Sequence, residues 1–130
     1  MKKVIETTRA PGAIGPYVQG VDLGAMVFTS GQIPVNPENG SVADDVAAQA
    51  RQSLENVKAI VSASGLSVGD IVKTTVFITD LNDFSVINEV YKQFFDEHDA
   101  VYPTRSCVQV ARLPKDVKLE IEAIAFRGER

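Results

Sequence analysis

Cysteine and histidine occur once each in the 130 residues, and tryptophan does not occur at all. A lone Cys107 excludes an intrachain disulfide and fits a reducing compartment, so the expected location is the cytoplasm. One histidine and one cysteine cannot supply the usual zinc ligand sets, so no metal is expected, and His98 reads as a favourable charge partner for a helix end. Aromatic residues make up only 7% of the chain, and basic residues are outnumbered 13 to 17, for a net charge of −4. Phosphate backbones are bound by basic clusters that displace counterions, often with stacking rings between them, so nucleic acid is not an expected partner. No apolar run approaches the roughly 18 residues that cross a bilayer, which argues against a membrane partner. The two lysines within Met1 to Glu6 lead into Thr7-Thr8-Arg9-Ala10-Pro11 rather than an apolar signal core, so the start reads as mature. A phosphate loop, a dinucleotide glycine fingerprint and a Gly-x-Ser-x-Gly elbow are all missing, which disfavours nucleotide cofactors and serine hydrolysis.

What is present reads as one domain over residues 1–130, 45% hydrophobic and long enough to bury about two thirds of its unfolded surface. Tyr17 to Val21 and Ala25 to Ser30 are expected strands, joined by Asp22-Leu23-Gly24 as a hairpin. Pro34 to Gly40 is expected as a loop, and Asn39-Gly40-Ser41 within it as a turn rather than a glycosylation site. From Asp44 to about Ser64 the residues Ala47, Ala50, Leu54, Val57 and Val61 recur at steps of three and four, which predicts a helix. Ser41 with Asp44 offers a capping box at its start, and Gly65 a stop.

Ile71 to Thr79 reads as a strand, with Val72, Thr74, Val76 and Ile78 on one surface. Asn82 or Asp83 then caps a second helix, marked by Phe84, Ile87, Tyr91 and Phe94 and ended near Tyr102-Pro103. Arg105 to Val110 and Val117 to Phe126 are the last strands, and Val117, Leu119, Ile121, Ala123 and Ala125 form the face expected to carry the helices. The order strand, strand, helix, strand, helix, strand, strand predicts an α+β two-layer sandwich, a mixed β-sheet with both helices on one face. Phe28, Ile124 and Phe126, mixed with Ser30, Arg105, Cys107 and Glu120, are left on a face without a partner layer, which predicts an oligomer.

Chemistry is concentrated at the end of the chain. Arg105 and Cys107 share a face if their segment is extended, and Glu120 lies about as far beyond the following turn, so the three could converge. An arginine in a partly dry cleft binds a carboxylate through two parallel hydrogen bonds, and a nearby glutamate can orient or activate water. Bland readings stand beside these. Cys107 could be a small buried hydrophobe, Arg105 could merely neutralise Glu120, and Glu120 could be a solvated strand residue. Tyr17 and Ser30 could be turn and strand-end residues, and Asn88 an exposed helix residue.

The stretch Pro103-Thr104-Arg105-Ser106-Cys107-Val108-Gln109-Val110-Ala111-Arg112-Leu113-Pro114-Lys115-Asp116-Val117-Lys118-Leu119-Glu120-Ile121-Glu122 resembles the RidA/YjgF reactive intermediate deaminase family. Ala13-Ile14-Gly15-Pro16-Tyr17, Thr29-Ser30-Gly31-Gln32-Ile33-Pro34, Asn56-Val57-Lys58 and Thr79-Asp80-Leu81-Asn82-Asp83-Phe84 resemble it in the same order, so the likeness spans nearly the whole chain, with wording close to enterobacterial members. The resemblance implies a chorismate-mutase-like fold, a homotrimer with sites between neighbouring subunits, and no cofactor. It implies hydrolysis of enamines and imines such as 2-aminocrotonate and 2-aminoacrylate, released by threonine and serine dehydratases, to 2-oxo acids and ammonia. Carried onto this chain, Arg105 would hold the substrate carboxylate, Glu120 would position water and move protons, and Cys107 would line the same spot without acting as a nucleophile. Tyr17, Ser30 and Asn88 would line the cleft as substrate-binding residues, with Ser30 and Tyr17 contacting the ligand. A non-catalytic sensor of 2-oxo acids or amino acids is the rival reading, and an RNA-acting or chaperone-like protein a third that the acidic balance opposes.

Overall fold

Two helices and six strands account for the sequence periodicities in the computed structural model, which describes residues 2–128. Helix α1, Val46–Ala63, buries Ala50, Leu54, Val57 and Val61 as their spacing requires, together with Gln49, Ser53, Asn56 and Ile60. Its cap is Asp45, whose carboxylate accepts from the Ala48 N–H at 3.0 Å, and not the box expected from Ser41 and Asp44. Ser41 instead donates its hydroxyl to Asn39 in the preceding turn. At the far end Gly65 adopts φ +87, the left-handed conformation that lets the chain leave a helix. Asp45→Ala should therefore cost about 1 kcal/mol and lower the melting temperature by about 4 °C, while Asp44→Ala leaves it nearly unchanged in a thermal melt.

The strands are β1 Lys3–Ile5, β2 Gly20–Asp22, β3 Met26–Thr29, β4 Ile71–Ile78, β5 Thr104–Gln109 and β6 Leu119–Phe126. The β2–β3 hairpin forms as expected, but its first strand starts three residues late and takes in Asp22. Tyr17 is drawn into a turn by its N–H bond to Gly15 O, at 2.8 Å. Strand β1 carries no alternating pattern long enough to announce it, and pairs antiparallel with β2. In β4 a register shift between Ile71 and Lys73 turns Val72 out to solvent, so the inward set is Ile71, Thr74, Val76 and Ile78. Val117 is buried as expected but precedes β6, beyond a single 3-10 turn over Pro114–Asp116.

Helix α2, Phe84–Glu97, is entered through another 3-10 turn, Leu81–Asp83, capped by the Asp80 carboxylate on the Asn82 N–H at 2.9 Å. Asp83 occupies the residue before α2, but its side chain makes no capping bond. Tyr91, Phe94 and Phe95 are buried against the sheet with Ile87; Phe95 is an anchor that the three-and-four spacing passed over. Each such side chain stabilises the fold by roughly 1.5–3 kcal/mol relative to leaving it in water. Among the described residues, no helix is long and apolar enough to cross a membrane.

The sheet order is β1-β2-β3-β6-β4-β5, mixed, because α2 is a crossover that returns β5 parallel to β4 while β6 runs antiparallel to both its neighbours. Both helices lie on the face of Leu119, Ile121, Ala123 and Ala125, as the alternation in β6 requires. The opposite face presents Phe28 beside Ile124, Phe126 beside Met26, and Val108 in register with Phe77 and Glu120. Phe28, Val108 and Phe126 are exposed there.

Candidate active site

Strand β5 is the sheet edge, and Arg105 projects from it onto the helix-bearing face. Its Nη1 donates to Asn88 Oδ1 at 2.7 Å, and its guanidinium carbon lies 4.9 Å from the Tyr91 ring centre and 5.4 Å from that of Phe84. Phe84, Asn88 and Tyr91 are spaced four and three along α2, which brings all three to one side of the helix. Tyr91 is itself fixed by a 2.6 Å hydrogen bond with Thr74. Among the described residues Asn88 is the only hydrogen-bond partner of Arg105, so most of the five guanidinium donors remain for a ligand. They face a cavity of about 420 Å³ lined by Asn88, Tyr91, Lys92, Tyr102, Pro103 and Arg105.

Cys107 lies two residues on, half-buried and packed against the core. Burial pushes its thiol up, with the Arg105 charge opposing, so the thiol stays protonated at neutral pH. That suits a lining group better than a nucleophile. His98 is the C-cap of α2, its Nδ1 2.6 Å from Phe94 O, and so has the helix-end role expected of it.

Glu120 is elsewhere. Arg105 is in register with Thr74, and Thr74 with Ala123, so Arg105 shares the face of Ala123 and Ile121. Glu120 is one residue out of phase with Ile121 and points to the opposite face. Strand β4 also separates β5 from β6. The expected convergence of Arg105, Cys107 and Glu120 therefore does not occur within one chain, and the two charges do not pair. The reason is the α2 crossover, which puts β5 next to β4 instead of folding it back on β6. For the same reason Arg105 and Cys107 do not belong to the open face.

What surrounds Glu120 is a second cluster. Its carboxylate rests on Gly31, and a Cβ added there would push the Glu120 side chain out of this position. Gly31 is held by its neighbours: Ser30 Oγ donates to Val18 O at 2.6 Å, and Gln32 N–H donates to Ile121 O at 2.8 Å. Tyr17 and Gly31 line a cavity of about 240 Å³ with Ile14, Ile33 and Lys115. Burial, reinforced by the Glu122 charge, raises the Glu120 carboxyl above the ordinary carboxylate range. A carboxylate so placed is a better base than one in water.

The structure thus brings Arg105, Asn88 and Cys107 together and sets Glu120 apart from them against Gly31, which follows Ser30 in the chain and shares a cavity with Tyr17. Phe84 and Tyr91 were missed as site residues, because their helical spacing reads as core. The signal that could have found them is the interposed Asn88 on the same helical side. Gly31 gave no signal of its own, since its constraint is the carboxylate of a residue 89 positions away.

The family model described as Endoribonuclease L-PSP matches residues 7–127. The 2-iminobutanoate/2-iminopropanoate deaminase of Salmonella typhimurium is 73% identical over 127 residues, covering 98% of this chain and 99% of that protein. Among solved structures, Escherichia coli TdcF with bound serine matches with a TM-score of 0.96 and 82% identity, over 97% of this chain and 99% of that one. The Escherichia coli YjgF gene product matches with a TM-score of 0.96 and 71% identity, again over 97% and 99%.

Proposed function

Because this chain belongs to the family described as Endoribonuclease L-PSP, with an imine deaminase at 73% identity over nearly its whole length, we propose that it is a 2-iminobutanoate/2-iminopropanoate deaminase, one domain over residues 1–130. The observation that carries the reading is the Arg105 guanidinium, bonded to Asn88 with most of its donors left over beside a cavity, together with a partly buried Glu120, both at positions that match the family signature. Arg105 grips the substrate carboxylate through its free donors, while Asn88 and the rings beneath fix the guanidinium plane. Glu120 takes a proton from the attacking water as oxygen bonds to the imine carbon. It returns that proton to nitrogen, then carries the hydroxyl proton of the adduct to nitrogen as the carbonyl forms and the C–N bond breaks, so imine and water become 2-oxo acid and ammonia. No cofactor is needed. Such imines hydrolyse unaided, so the site has only to orient reactants and stabilise charge.

Arg105 and Glu120 lie on opposite faces, so one small substrate meets both only where the Arg105 side of one subunit adjoins the Glu120 side of its neighbour. Head-to-tail contacts of that kind close into rings, and the exposed Phe28, Val108 and Phe126 supply apolar surface for them. The family resemblance supplies the rest of this reading: a homotrimer with sites between subunits, of the chorismate-mutase-like type, working in the cytoplasm without nucleic acid or membrane partners. A dilute, stable monomer in sedimentation would overturn it.

The test of function couples purified protein to a threonine or serine dehydratase, with semicarbazide trapping residual imine. Catalytic amounts should speed 2-oxo acid formation and cut the trapped product. TdcF was crystallised with serine, an amino acid rather than an imine, which keeps a ligand sensor as the second reading. Stoichiometric binding of 2-oxobutanoate without ammonia turnover would favour that sensor. The family description speaks of an endoribonuclease, but a net charge of −4 opposes RNA, and only salt-dependent RNA affinity would revive that activity.

A further inference from the structure

Gln19 is only 5% exposed, and its side-chain amide does the work of a missing strand ladder. Nε2 donates to Pro11 O at 2.8 Å and Thr7 O at 3.0 Å, with Ala10 O at 3.2 Å sharing a proton. Oε1 accepts from the Thr7 N–H at 2.7 Å, so Thr7 and the amide exchange two hydrogen bonds as paired strand residues do. The main chain here is equally engaged, since Gln19 O accepts from the Ser30 N–H at 2.8 Å.

These bonds close the neck of a loop. Residues 12–18 leave at Pro11 and return at Gln19, and the amide ties the two ends together. Tyr17 rides on that loop, half-exposed, and among the described residues its hydroxyl is held only by the Ile14 N–H at 3.3 Å. Residues 12–17 are exposed and Val18 is half-buried, so the ring's position depends on the neck and on the Ser30 Oγ bond to Val18 O. We propose that Gln19 is a positioning residue for imine hydrolysis, acting through Tyr17 by holding the 11–19 loop closed beside Ser30. The inference rests on the reading that Tyr17 contacts the substrate.

The test is a double-mutant cycle in imine hydrolysis, with sedimentation and thermal melts as controls. Gln19→Glu keeps the shape but turns an oxygen toward three carbonyls. It is expected to lower kcat/KM by about 10- to 100-fold, as loss of positioning does, in a protein that stays assembled. Gln19→Met fills the same space without donors, is expected to show the same loss, and replaces Gln19→Glu if that variant does not fold. Added to Tyr17→Ala, either change should lower activity no further. Multiplied losses, or wild-type kinetics in both Gln19 variants, would overturn the role of Gln19 while leaving Tyr17 in place. Wild-type kinetics in Tyr17→Ala itself would remove the Tyr17 reading, and the proposal with it.

Discussion

Arg105→Ala is expected to remove nearly all imine hydrolysis while leaving the protein folded and assembled. Truncating one partner of a desolvated charge pair costs about 2–5 kcal/mol, or roughly 30- to 4,000-fold in kcat/KM. The fold has little at stake, because the side chain is exposed at an edge strand and makes one hydrogen bond, to Asn88. Its stacking over Tyr91 and Phe84 contributes at most about 1 kcal/mol at such a site. Arg105→Lys should recover only part of the loss, since an ammonium cannot present two parallel donors to a carboxylate. Steady-state kinetics beside a thermal melt decide the matter. Wild-type rates in Arg105→Ala would remove the residue from the mechanism.

Glu120→Gln should lower kcat by about 10²- to 10⁴-fold, the usual worth of a general acid–base group. The same change is expected to stabilise the fold at pH 7. Burial and Glu122 raise the Glu120 carboxyl in the folded chain, so the unfolded chain gives up this proton first as pH rises. The folded state binds the proton more tightly, so its advantage is complete below the unfolded value of about 4.3 and is lost as pH rises through the folded value. Melting curves should therefore separate Glu120→Gln from wild type at pH 7 and merge near pH 4. The acidic limb of the wild-type kcat profile should disappear in the variant. An unchanged kcat would sink the catalytic assignment, and equal melting temperatures at pH 7 would sink the burial argument.

The periodic elements were legible because period and burial are local properties. The steps among Ala50, Leu54, Val57 and Val61 fix the inner face of α1, and the alternation from Leu119 to Ala125 fixes that of β6. Which strands adjoin was not legible in the same way. Arg105 and Glu120 flank one turn in sequence, yet the crossover through α2 puts β4 between their strands and leaves them on opposite faces. Caps were misread where several polar residues competed: Ser41 and Asp44 precede Asp45, and only backbone geometry selects among them. Residues such as Phe84 and Tyr91 serve packing and site at once, and apolar spacing reports only the first.

Strand β6 is central in the sheet and last in the chain. Without it, β1, β2 and β3 form one fragment and β4 and β5 another, with no strand pairing between them. Its pairing with β3 joins Met26 to Phe126, a closure across nearly the whole chain. Such distant contacts repay their entropy only when formed, so they slow folding. During synthesis the earlier segments can prepare α1 and the β4–α2–β5 unit, but the two halves cannot be sealed until Leu119–Phe126 has emerged. The nascent protein therefore commits to its native state only once β6 is available, with Leu119, Ile121, Ala123 and Ala125 arriving together to complete the core.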